Sequence, residues 1–192
     1  MGTNLAAAAF VVVIAAAGAY PPLTLPSEWT PYATPSSSPA LVGHWRRPPR
    51  GNEPYPTRLL YYANVGNATY DEEVARVRKF STCPAGQTGE LMKSIRVCGF
   101  VVDADEQCKG KPVHRFVRLA NLGPPEVVAL TQLLVPWPGG YLEIEYYRPG
   151  TEFAPSGKGE KEDDVLAAMR TWCEAAVTSA SSSAIPNASP SP

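Results

Sequence analysis

Two histidines, His44 and His114, are the only imidazoles in the 192 residues, so acid–base chemistry on a histidine has few places to sit. The one set able to serve a small ribonuclease is His114, Glu143 and Arg148. Their spacing does not require them to converge. Glu143 and Glu145 fall two apart, as a catalytic carboxylate pair can. The run Leu142-Glu143-Ile144-Glu145-Tyr146 alternates, however, and alternation assigns both glutamates to the solvent face of a half-buried strand. Ser81 and the 179–183 serine run have no G-x-S-x-G setting, which leaves a hydrolase nucleophile without support. The sequence reads as a non-enzyme.

Four cysteines remain as candidate ligands or disulfide partners: Cys83, Cys98, Cys108 and Cys173. There is no C-x-x-C or Cys/His cluster, so metal binding is not expected and no cofactor is implied. Residues 5–17 form an apolar run followed by Ala17-Gly18-Ala19, a small-x-small pattern that marks 1–19 as a secretory signal peptide. In a secreted chain an even cysteine count predicts two disulfides, with three connectivities open. The expectation is a secreted protein with no membrane segment after cleavage. A formal charge of −1 supplies no basic field for nucleic acid.

The elements that carry these residues follow from pattern. Residues 20–57 are rich in Pro, Ser and Thr without a period, which suggests a flexible arm. Leu59-Leu60-Tyr61-Tyr62 reads as a short first strand. The sequon Asn67-Ala68-Thr69 marks a glycan site, and a second sequon lies at Asn187. Thr69 followed by Glu72 is a capping box opening a helix. Tyr70, Val74 and Val77 give that helix one apolar face, with Phe80 beside it. Four runs between 94 and 148, separated by polar or Gly/Pro turns, predict consecutive antiparallel strands. The helix is the expected cover for the apolar face of that sheet. Asp164 to Val177 repeats the helical spacing with Val165, Met169, Trp172 and Ala176, and Cys173 is placed to tie this second helix to the domain.

The fold class is therefore α+β: one helix packed on a four- to five-stranded antiparallel sheet, plus a C-terminal helix. The organisation is 1–19 signal, 20–57 arm, 58–150 domain, 151–178 linker and C-terminal helix, and 179–192 disordered tail.

Three segments resemble the cystatin superfamily, most of all the plant cystatins. Val77-Arg78-Lys79-Phe80-Ser81 is similar to their helix signature. Residues 101–107, V-V-D-A-D-E-Q, are similar to the strand entering their first inhibitory loop. Pro136-Trp137 follows Gln107 in the family's order, across two further strands. The resemblance covers about residues 64–148. It implies a non-covalent inhibitor of papain-like cysteine proteases, with a wedge made of Gly66, the loop Gln107-Cys108-Lys109-Gly110 and the Pro136-Trp137 loop. Lys109 and Lys111 stand where the family has Val and Gly. They favour the alternative, a secreted binding module on the same fold without protease affinity. Trp137 is either an exposed tip or a ring folded back on the sheet.

Overall fold

The computed structural model describes residues 20–33, 40–50, 56–81, 102–123, 126–149 and 164–183. Residues 1–19, expected to be a signal peptide, and Cys83, Cys98 and Asn187 lie outside these residues. No helix among them is long and apolar enough to cross a membrane.

Seven strands form one antiparallel sheet: β1 (Thr30–Pro31), β2 (Leu41–Arg47), β3 (Thr57–Val65), β4 (Val102–Cys108), β5 (Lys111–Gly123), β6 (Glu126–Trp137) and β7 (Gly140–Pro149). Their spatial order is β1-β2-β3-β7-β6-β5-β4. The mixed α+β class is as expected, but the sheet exceeds the expected four to five strands. The extra strands come from the stretch expected to be a flexible arm. Pro-rich composition concealed an alternation there: Leu23 and Leu25 are buried while Pro22 and Thr24 are exposed. Trp29 and Trp45 complete the arm's share of the core.

Two helices cover the sheet, one on each face. Helix α1 (Tyr70–Ser81) starts where the capping box predicts. The Thr69 amide donates to Glu72 Oε2 at 2.8 Å, and the Glu72 amide donates back to Thr69 Oγ1 at 3.3 Å. The first of these bonds is the main reason the Glu72 carboxyl is held below its ordinary pKa. Val74 and Val77 of α1 pack on Phe116, Leu134 and Tyr141.

The opposite face carries the larger core. There Leu59, Tyr61, Leu133, Val135, Leu142, Ile144 and Tyr146 meet helix α2 (Asp164–Ser183) and the N-terminal segment. Val165, Met169, Trp172 and Ala176 are buried, as their spacing predicts. Trp172 stands edge-on to Tyr61 with ring centroids 5.3 Å apart, and Trp29 meets Tyr146 in the same manner at 6.2 Å. The second helix is thus a layer of the domain rather than an appendage, and it runs through Ser183, into the stretch expected to be a disordered tail. The face bearing Leu142, Ile144 and Tyr146 is covered by α2 and the arm, whereas the expected cover, α1, lies on the other side.

A double cover explains β6. Its run V-A-L-T-Q-L-L-V is buried at every residue from Val128 to Val135, because neighbours on alternate faces both meet a packed layer. The same cover overturns the solvent-face assignment of Glu143, which is 5% exposed.

Cys108, at the end of β4, is joined to Cys173 of α2 across a sequence separation of 65. In the chain-entropy model a loop of that length is worth about 4 kcal/mol. The expected outcome for the Cys108→Ser/Cys173→Ser double variant is a fall of that order in unfolding free energy. Urea denaturation without reductant measures it, and an unchanged midpoint would remove the tie from the account of stability.

Candidate functional site

The residues singled out for binding gather at one end of the sheet. The β4–β5 and β6–β7 hairpins both turn there, and β3 ends beside them. In the first hairpin Lys109 and Gly110 form a two-residue turn with φ of 47° and 75°, the left-handed pair that suits a twisted hairpin. In the second, Pro138 presets the turn and Gly139 takes φ of 78°. The Gly66 amide donates to the Gly139 carbonyl at 2.8 Å, joining the end of β3 to this turn. A Cβ on Gly140 would lie 1.9 Å from the Asn64 carbonyl oxygen, so that position admits only glycine without a backbone shift.

Exposure divides the set. Gly66, Asn67, Gln107, Lys109 and Gly110 are exposed, whereas Pro136 and Trp137 are half-buried. Cys108 is buried in its disulfide. Trp137 packs against the α2-side core and stands edge-on to Tyr20, with centroids 6.1 Å apart. Of the two orientations open in the sequence, the folded-back ring is the one present. Beside it, a hollow of about 380 Å³ is lined by Pro112, Pro136, Trp137 and Pro138 from the hairpins and by Val177 and Ala180 from α2. A second hollow of about 350 Å³ lies between β4–β6 and α2, with Gln107, Val113, Leu133, Met169 and the Cys108–Cys173 pair among its walls.

The ribonuclease set does not assemble. Arg148 is on the α2 face, where it donates to Thr131 Oγ1 at 3.3 Å. His114 and Glu143 are on the α1 face, and register sets them on β5 and β7 with Leu134 between. His114 does not reach the solvent. It is 1% exposed, with Nδ1 2.7 Å from Asp105 Oδ1 and Nε2 2.7 Å from Asp103 Oδ1. Arg78 of α1 grips Asp103 from Nε (2.9 Å to Oδ2) and from Nη2 (2.8 Å to Oδ1). That pair is the main cause of a lowered Asp103 pKa, with His114 adding to it. The cluster clamps the β4 edge to the helix.

The glutamate pair is the larger surprise. Gln132 Nε2 donates to Glu143 Oε1 at 2.8 Å and to Glu145 Oε1 at 3.2 Å. Tyr147 donates its hydroxyl to Glu145 Oε2 at 2.8 Å. Burial, then the neighbouring Glu145 charge, pushes the Glu143 carboxyl up to about 8, and burial raises Glu145 as well. Tyr62 completes the patch, its hydroxyl raised by burial and by both glutamates. Nothing in the local sequence distinguishes this arrangement from a solvated face. The missing signal was Gln132, a large polar residue inside a mostly apolar interior strand.

Raising Glu143 in the folded state has a definite sign. The unfolded carboxyl ionises near 4.5 while the folded one keeps its proton to about 8, so this group's contribution to stability falls as pH rises through that window. Glu143→Gln should therefore match the parent protein near pH 5 and exceed it near pH 9, both pH values approximate choices. Urea midpoints at the two pH values provide the check, and a gain independent of pH would contradict the buried proton.

No protein-family model matches the chain, and no curated protein matches it.

Proposed function

We propose that the chain is a secreted binding module that receives an extended, apolar segment of a protein partner at the end of the sheet. One observation carries this reading. Trp137 does not project from its turn; it lies against Tyr20 and forms a wall of the hollow between the hairpin prolines and α2. Concave surfaces lined by an aromatic ring and prolines suit proline-rich segments, whose preformed extended shape loses little entropy on docking. Lys111 on the rim favours a partner with nearby negative charge.

The inhibitor reading is the second. Its support is that Gly66, the Cys108–Lys111 turn and the Pro136–Gly140 turn share one end of the sheet, with Gly66 and Gly139 hydrogen-bonded. The helix α1 followed by the β4–β7 meander fits the cystatin-like architecture that the resemblance implies. Against it stand the half-buried Trp137, the buried Cys108 and the two lysines in the first loop. A wedge needs a projecting ring, and a lysine driven into a protease cleft is costly unless it finds a partner.

Papain titration with oxidised protein from Tyr20 onward separates the two, alongside Trp137→Ala. The binding-module reading expects no inhibition, and expects a decaproline probe to move the Trp137 indole resonance and lose that effect in Val177→Glu. Stoichiometric inhibition abolished by Trp137→Ala would overturn it in favour of the wedge.

A further inference from the structure

The α1 face carries a basic feature far from the sheet end. Arg46 on β2 and Arg58 on β3 are direct cross-strand partners. Side chains directly opposite on antiparallel strands lie close, and like charges placed so repel. Neither guanidinium has a carboxylate partner among the described residues, and Arg46 Nε is buried with no hydrogen-bond partner. Four other arginines pair with acids: Arg50 with Glu28, Arg76 with Glu73, Arg78 with Asp103 and Arg115 with Glu106. Arg46 and Arg58 instead face each other across the β2–β3 pair.

Its surroundings hold it in place. The Tyr32 ring lies under the Arg46 guanidinium at 3.2 Å, and it meets His44 edge-on at 5.0 Å. The Tyr32 amide donates to the His44 carbonyl at 2.8 Å, fixing the ring beside β2. His44 is two residues from Arg46 on the same face, and its pKa is lowered by burial and then by the charges of Arg46 and Arg58. Three cationic or protonatable groups from two strands therefore share one small area. The other titratable groups along these rows are Tyr62 on β3, and Glu145 and Tyr147 on β7, where Tyr147 is the cross-strand partner of Arg58.

We propose that Arg46, Arg58 and His44 form a binding site for a tetrahedral oxyanion, a phosphate or sulfate group. Two guanidiniums present forked donors that match such an oxyanion, and its charge cancels their mutual repulsion. The buried Arg46 Nε gains an acceptor. His44 becomes easier to protonate once the anion is bound, so binding and protonation of His44 reinforce each other. The site is independent of the groove at the sheet end.

NMR titration of the His44 ring in the full mature chain tests this, with phosphate, sulfate and chloride at matched ionic strength. Salt alone screens the arginines and raises the His44 pKa to the same extent in all three. The expected result is an additional upward shift with phosphate, sulfate or both, identifying which oxyanion the site takes. Arg58→Gln should weaken that binding roughly tenfold or more, as losing a charged hydrogen-bond donor does. Arg58→Lys should retain part of it, and Arg50→Gln should leave it unchanged. Equal His44 shifts in all three salts would overturn the proposal, as would an oxyanion response that persists undiminished in a natively folded Arg58→Gln protein.

Discussion

A sheet with apolar residues on both faces has to be covered twice, and most of this structure follows from that demand. Strand β6 sets it, because Leu130 and Leu134 point to one side while Ala129, Leu133 and Val135 point to the other, all buried. A single helix of twelve residues cannot serve both. Helix α1 takes the face with Phe116, Leu134 and Tyr141, and α2 takes the other with help from the N-terminal segment. The buried tryptophans Trp29, Trp45 and Trp172 all lie on the α2 side. That concentration of aromatic area makes it the principal core.

The short helix leaves the α1 face only partly apolar. Polar side chains occupy the remainder and are organised by each other: His114 by two aspartates, Glu143 and Glu145 by Gln132, and Arg46 by the Tyr32 ring. The resulting surface runs from the acid–histidine clamp at β4, through the glutamate pair on β7, to the arginines on β2 and β3. Such groups are costly to bury. Joined in this way, they give the domain one electrostatically structured face, while the α2 side buries its own smaller polar pairs, Arg47 with Thr57 and Arg148 with Thr131. The hollow at the sheet end belongs to the apolar side.

Much of the fold was legible because local signals agree with it. The Thr69–Glu72 box marks the start of α1, and the spacing of Val165, Met169, Trp172 and Ala176 defines α2. The Lys109-Gly110 and Pro138-Gly139 turns place the hairpins. What escaped was anything set by long-range pairing. Leu23 and Leu25 alternate over too short a stretch to suggest a strand or core segment. The glutamates of β7 have the pattern of a solvent face, and only the partner layer decides otherwise. The two hairpin turns were found from residue type, but the attitude of Trp137 depends on Tyr20, more than a hundred positions earlier. The opposition of Arg46 and Arg58 depends on the β2–β3 register, which composition does not encode.

The strand order also has a consequence for how the chain is made. Strand β3 has β2 on one side and β7 on the other, with Leu59 paired to Tyr146. During synthesis, the β1–β3 segment therefore emerges long before the strand that anchors it to the rest of the sheet. The meander β4–β7 can form by successive local hairpins, but the N-terminal strands must wait for its last member. Non-local pairing of this kind slows folding, since the intervening chain is restrained before the contacts compensate for it. A growing chain lacks its joined sheet until β7 has left the ribosome, and lacks its second cover until α2 follows. Until β7 emerges, the edge of β3 that pairs with it is unpaired, a strand edge of the kind open to misassociation.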